Sequence, residues 1–132
     1  MRVELAAICD AATESGGKLN LLGAFDSIQV AEYPFVVPHC SLVFRIRFNR
    51  VECGAHQIKV AFVDQDGKEL IPSLEADVNI PQVEGIDSRV TNLIMSLNGF
   101  TIKEPGKFSI DLAIDGRHEI SLPLTARQLP KE

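Results

Sequence analysis

Hydrophobic and polar residues alternate with a period of two along almost the whole chain, and turn residues bound each run. This is the signature of half-buried strands. Arg2 to Asp10 places Val3, Leu5, Ala7 and Cys9 on one face, and Ser15-Gly16-Gly17 forms a turn. Lys18 to Val30 reads as one long second strand, in which Gly23 marks a bulge or a close backbone approach. Pro34 and Pro38 frame a connection from Glu32 to His39 that cannot sit in a central strand. Cys40 to Arg50 alternates most cleanly, with Leu42, Phe44, Ile46 and Phe48 against Val43, Arg45, Arg47 and Asn49.

After a turn at Val51 to Ala55, Gln57 to Asp64 is the return strand. Asp64 to Gly67 is a hairpin turn, and Glu69 to Ile80 is a strand weakened at Pro72. Pro81 to Asp87 is a polar loop. Ser88 to Phe100 fits both helical and strand spacing. Its bracketing Asn98-Gly99 and Pro105-Gly106, and its strand neighbours, make it a strand. Lys107 to Asp115 and His118 to Ala126 pair across Asp115-Gly116, a two-residue hairpin signal. About eight strands at this spacing predict an all-β, antiparallel two-sheet sandwich, with residues 1–132 as one domain.

Composition agrees with a folded chain of this kind. The 132 residues are 45% hydrophobic and 23% charged, and no apolar run is long enough for a spanning helix. A net charge of −5 argues against nucleic-acid binding, which needs Lys and Arg to neutralise phosphates. Arg45, Arg47 and Arg50 alternate along one stretch and read as a solvated strand face. Met1-Arg2-Val3 is already strand-like, so no signal peptide is expected. The odd set Cys9, Cys40 and Cys53 is expected to be reduced in a cytoplasmic protein.

Two resemblances add to this reading. Glu104-Pro105-Gly106-Lys107-Phe108-Ser109-Ile110 resembles the turn and strand entry of immunoglobulin-like sandwiches, with Phe108 where a tyrosine corner would carry its hydroxyl. Over nearly the whole chain, Ile8-Cys9-Asp10-Ala11-Ala12, Gly17-Lys18-Leu19-Asn20-Leu21-Leu22-Gly23, Phe25-Asp26, Glu52-Cys53-Gly54 with His56, and Asp66-Gly67 are similar to a family of small bacterial proteins of unknown function. That resemblance implies a β-sandwich and brings no activity, cofactor or site.

Each candidate chemistry meets a physical objection. His39, Cys40, Cys53 and His56 are zinc-type ligands, but a hairpin turning at 51–55 puts Cys40 roughly 30 Å from Cys53. Asp64 and Asp66 share a turn, yet the calcium loop with its bidentate Glu is absent. Asp10 and Asp115 would have to join from other turns, and an up-and-down order puts Asp10 at the opposite end. Cys9, Asp10 and His56 are the one nucleophile-type trio, and strand parity puts Cys9 in the core. With no Trp and one Tyr, a sugar platform is disfavoured, although Tyr33 and Phe35 could serve.

No cofactor, metal or catalytic residue is therefore expected. The leading expectation is a non-enzymatic interaction or assembly module, without nucleic acid or membrane as partner. It would form a homo-oligomer or bind a protein through an edge strand or through the apolar connection carrying Val30, Tyr33, Phe35, Val36 and Val37. The alternative is a small-molecule binder or unrecognised enzyme with a pocket near Cys9, Asp10 and His56.

Overall fold

A computed structural model describes residues 1–130. Alternating apolar residues cannot bury one face alone, so the strands stack as two sheets. One sheet has the order β2-β1-β4-β7: β1 is Arg2–Ser15, β2 Lys18–Phe25, β4 Phe35–Asn49 and β7 Ser88–Ile102. The other has the order β3-β9-β8-β5-β6: β3 is Ser27–Val30, β5 Gly54–Asp64, β6 Leu74–Ile80, β8 Gly106–Ile114 and β9 Arg117–Gln128. A 3-10 turn at Arg50–Glu52 links β4 to β5. The all-β sandwich is as expected, with nine strands among the described residues.

The core lies between the sheets. Leu42, Phe44, Ile46 and Phe48 of β4 are fully buried against Ile58, Val60 and Phe62 of β5, Ile110, Leu112 and Ile114 of β8, and Leu124 of β9. Each such side chain contributes about 1.5–3 kcal/mol of burial. The ambiguous stretch is a strand: β7 pairs with β4 from Asn49↔Ser88 to Phe35↔Ile102. Packing against β4 decides what local spacing left open.

Four local readings differ from the structure. First, Lys18 to Val30 is two strands. The chain crosses from one sheet to the other at Asp26, and β3 runs parallel to β9, the one parallel pairing among the described strands. The Thr125 N–H donates to the Asp26 carbonyl at 3.0 Å and holds that crossing. Alternation continues through a change of sheet, so periodicity could not reveal it.

Second, β1 is bulged between Val3 and Leu5. Val3 faces Ile46 and packs on the core, as do Ala6 and Ile8, whereas Leu5 pairs with Arg45 on the outer face. The extra residue is Glu4. Cys9 is accordingly on the outer face, although it is fully buried.

Third, Pro38 lies within β4, a central strand. The β1 ladder ends at Cys9↔Ser41, so only β7 flanks β4 at Pro38, and no second ladder needs its missing N–H. Both strands shift their faces together here. Val37 and Phe100 point inward, as do Cys40 and Leu97, across an interval containing Pro38 and the positive-φ Gly99. Fourth, Glu69 to Ser73 is irregular and β6 begins only at Leu74, after Pro72.

The β1–β2 hairpin does not continue flat. Its tip returns over the outer face of the first sheet, where Asn92 of β7 donates to the Gly17 carbonyl at 3.2 Å. Cys9 and Val43 are fully buried outside the main core because this flap covers them. Leu19 and Leu21 form its half-buried side, while Leu22 is 71% exposed on the other. The bend is at Gly23, with φ +71°. A Cβ there would lie 2.4 Å from Asp10 Oδ2. Gly23→Ala should therefore destabilise the protein by about 1–3 kcal/mol. In an Asp10→Ala background the penalty should shrink without vanishing, since the backbone strain remains. Chemical denaturation of the four proteins measures both parts, and an equal penalty in both backgrounds would exclude the clash.

Candidate functional site

Three polar clusters stand out. The first is on the outer face of the first sheet. The bulge presents Glu4 to Arg45 and Arg47, which strand parity has already placed on that face. Arg47 Nε donates to Glu4 at 2.7 Å, Arg45 Nε at 3.2 Å and Arg2 at 3.0 Å. Hydrogen bonds from Arg47 and then Arg2 hold the Glu4 carboxyl at about 2. Arg45 also donates to Asn92, and Arg47 to Ser88, so both guanidiniums are spread along β7. The basic stretch is thus ordered and partly neutralised. Arg50 is outside it, in the 3-10 turn.

The second cluster is a latch at one end of the sandwich. Asp115 has φ +52° in the tight turn between β8 and β9, beside Gly116 at +79°. Its carboxylate accepts the Gln57 N–H at 2.9 Å and lies 2.6 Å from His56 Nδ1. His56 Nε2 lies 2.5 Å from the Glu52 carbonyl, and the ring packs on Phe48 with centroids 4.7 Å apart. Both ring nitrogens face oxygen acceptors, an arrangement that only the imidazolium satisfies on both sides and that therefore favours the protonated ring. Burial pushes the His56 pKa down, but the bonds to Asp115 and the Glu52 carbonyl outweigh it, and the net direction is up. The Gln57 amide, and then His56, draw Asp115 down. The Met1 ammonium and the Asn49 amide draw Glu52 down. A hollow of about 320 Å³ lies beside the latch, lined by Glu52, Cys53, His56, Asp115, Arg117 and Glu119 among others.

The third cluster was not foreseen. On the outer face of the second sheet, Asp111 accepts hydrogen bonds from Ser109 at 2.6 Å and Ser121 at 2.7 Å, and His118 Nε2 is 2.7 Å from Ser121. Ser121 gives its proton to Asp111, so His118 donates to Ser121. The order His, Ser, Asp leaves the imidazole without its orienting acid and the serine without a base. The signal in the sequence was register: Asp111 and Ser121 lie directly opposite each other across the Asp115-Gly116 hairpin.

The structure separates the other candidate residues. Cys9 pairs with Ser41 on the outer face, whereas His56 packs on Phe48 on the inner side, about seven residues or ~23 Å farther along β4. The pocket expected near Cys9, Asp10 and His56 is therefore not formed by these three, and the hollow at His56 includes neither Cys9 nor Asp10. Burial, then the Asp10 charge, pushes the Cys9 thiol up. Burial, then Cys9 and Asp10, pushes Cys40 up to about 11. Both move away from thiolate chemistry.

Of the zinc-type residues, His39 is exposed and bonds Asn98, and Cys40 is in the core. Cys53 and His56 are at the other end of β4. Asp64 is used by its own turn, accepting the Asp66 and Lys68 N–H groups at 2.9 Å. A groove of about 320 Å³ runs from this turn to Lys103–Phe108 and mixes lysines with carboxylates. Asp115 is at the far end of β5 from Asp64. Asp10 is against Gly23 in the same half of the sandwich as Asp64, because β1 leaves β4 near Cys40. Among the described residues no three His, Cys, Asp or Glu side chains gather around a common point.

In the connection, Val37 is buried, and Tyr33 and Phe35 pack on the chain's own core. The Tyr33 hydroxyl donates to the Arg127 carbonyl at 2.6 Å. Only Val36, 55% exposed, faces fully outward.

The latch sets a pH window. The raised His56 stabilises the fold fully below its ordinary value near 6.5, and that contribution is lost as pH rises through the folded value. The lowered Asp115 and Glu52 contribute above about 4, and their contribution is lost as pH falls through their folded values. His56→Gln should flatten the decline in stability from about pH 6 to about pH 9, an effect of up to about 1 kcal/mol. Thermal melts of both proteins across that range check it; parallel curves would rule out the latch.

No helix among the described residues is long and apolar enough to cross a membrane. Comparison with curated proteins finds no match. The profile of a family of unknown function, DUF6941, matches residues 4–127, which span every strand from β1 to β9. The resemblance carried by Ile8–Ala12, Gly17–Gly23 and the later motifs is thus a family membership: the chain belongs to DUF6941, a family of unknown function.

Proposed function

We propose that this protein is a non-enzymatic interaction and assembly module whose working surface is the outer edge of β7. One observation carries the reading: among the described strands β7 is the longest sheet edge, and from Val90 to Asn98 it has no charge, no proline and no positive-φ residue. A strand edge presents unpaired N–H and C=O groups to any extended chain, and proteins blunt such edges with short length, charge, proline or irregular backbone. β3 has four residues. β6 has seven, including Glu75 and Asp77. β2 has eight, with Lys18 and the kinked Gly23. β7 has fifteen, and from Val90 to Ile102 it contains no Lys, Arg, Asp, Glu or Pro.

The side chains support the same surface. Leu93 and Met95 pack on the core yet remain half-buried, as edge residues do when a neighbouring strand is missing. Val36 of β4, 55% exposed, lies beside Thr101 of the same edge. The surface expected at Tyr33, Phe35, Val36 and Val37 thereby shrinks to Val36 and moves onto the adjoining edge.

The strand orders β1-β4-β7 and β9-β8-β5 support an immunoglobulin-like connectivity, a scaffold on which edges and loops do the binding. Three cysteines without a disulfide support a cytoplasmic setting. Against catalysis, both buried thiols are pushed up and both His56 nitrogens are engaged.

A labelled peptide copying Ser88 to Phe100, added in excess to dilute protein, should bind saturably in the micromolar range. Ser96→Lys, at an exposed edge position, should weaken binding by about tenfold or more while leaving the melting temperature unchanged. Anisotropy that never saturates, up to the peptide's solubility, would sink the reading.

A further inference from the structure

We propose, building on the edge reading, that the strand received by β7 is β7 of a second copy, antiparallel about a two-fold axis at Ile94. An antiparallel partner pairs residues whose numbers have a constant sum, and the register centred on Ile94 pairs like with like over the five residues around the axis, 92 to 96. On the inner face Leu93 meets Met95; farther from the axis Thr91 meets Leu97 and Val90 meets Asn98, which are unlike pairs. On the outer face Ile94 meets its own twin, and Asn92 meets Ser96. Moving the centre by one residue puts unlike residues beside the axis: centred on Leu93, Asn92 falls opposite Ile94; centred on Met95, Ile94 falls opposite Ser96, although Leu93 then meets Leu97 and Asn92 meets Asn98. Cross-strand pairs of like character are the favourable ones.

Three further features point to a second copy. Each chain carries a net charge of −5, so association of like copies requires a contact strip without charge, and Val90 to Ile102 is one. The nearest charge on the strand, Arg89, falls opposite Gly99 and is about ten residues, or ~33 Å, from its twin along the strand. The half-buried Leu93 and Met95 of each copy supply the apolar neighbour that the other's lack, which continues the inner face without a break.

Closure also follows. Pairing consumes this edge of each copy and leaves outer edges formed by β2, where Gly23 bends the strand away. An isologous contact that uses up its own surface stops at two. The product is a continuous eight-stranded sheet of order β2-β1-β4-β7-β7-β4-β1-β2.

Sedimentation of the full chain over micromolar to several hundred micromolar concentrations tests this. The expected mass is twice 14.5 kDa. Ile94→Lys and Ile94→Glu should each sediment as monomers, because like charges then face each other at the axis. An equimolar mixture of the two should recover the dimer, which happens only if position 94 meets its own twin. Hydrogen exchange on the unaltered protein gives a readout that needs no variant: β7 amides should slow as concentration rises. A 14.5 kDa species throughout, with β7 exchange independent of concentration, overturns the second copy as occupant; the edge reading then stands if the β7 peptide still saturates and falls with it if the peptide does not. A dimer that survives Ile94→Lys overturns the two-fold at Ile94.

Discussion

The strand on which everything else depends is β4. It is hydrogen-bonded on both sides, to β1 and to β7, and it is buried on both faces over much of its length. Leu42, Phe44, Ile46 and Phe48 anchor the main core, while Ser41 and Val43 are covered on the reverse. A strand with two buried faces fixes register strictly, because a one-residue slip would exchange the faces. It also imposes a geometric demand. Something must cover the outer face where β4 is apolar, and something must satisfy it where β4 turns basic.

Two local irregularities meet those demands. Gly23 lets the β1–β2 hairpin bend back over Cys9 and Val43, close against Asp10 and reach Asn92 with its tip. The bulge at Glu4 reverses the facing of β1, so that a carboxylate meets Arg45 and Arg47 while Val3 and Ala6 both remain on the core. Each departs from ideal strand geometry at one residue and gains a covered or neutralised face. Several charged residues of this protein therefore serve its architecture. Glu4 ties three arginines, and the His56 ring ties a hairpin turn to the 3-10 turn. The working surface proposed for this protein is instead main chain: the outer amides and carbonyls of β7.

Much of this architecture was legible in the sequence. Alternation located nearly every strand, and Asp115-Gly116 and Asp64 to Gly67 located their turns, because strand periodicity and turn chemistry are local properties of the chain. The inward set Leu42, Phe44, Ile46 and Phe48 followed from the same alternation. The distance objection to a Cys40 and Cys53 site also followed, since the rise per residue in a strand is fixed.

What the sequence could not express was where alternation is interrupted and what lies across a gap. The switch of sheets at Asp26, the bulge at Glu4 and the joint shift at Pro38 and Gly99 each change the facing by one residue, and each is decided by pairing with a distant strand. Cys9 was placed inward by counting and is buried under a hairpin instead. The missing N–H of Pro38 argues against a central strand, yet Pro38 is in one because β1 leaves before reaching it. The Asp111 cluster and the bare edge of β7 exist only through register and strand order. Local chemistry determined which segments are strands. Only the long-range pairing, which satisfies the backbone groups of the inner strands of both sheets together, decided which faces are buried and which edge stays open.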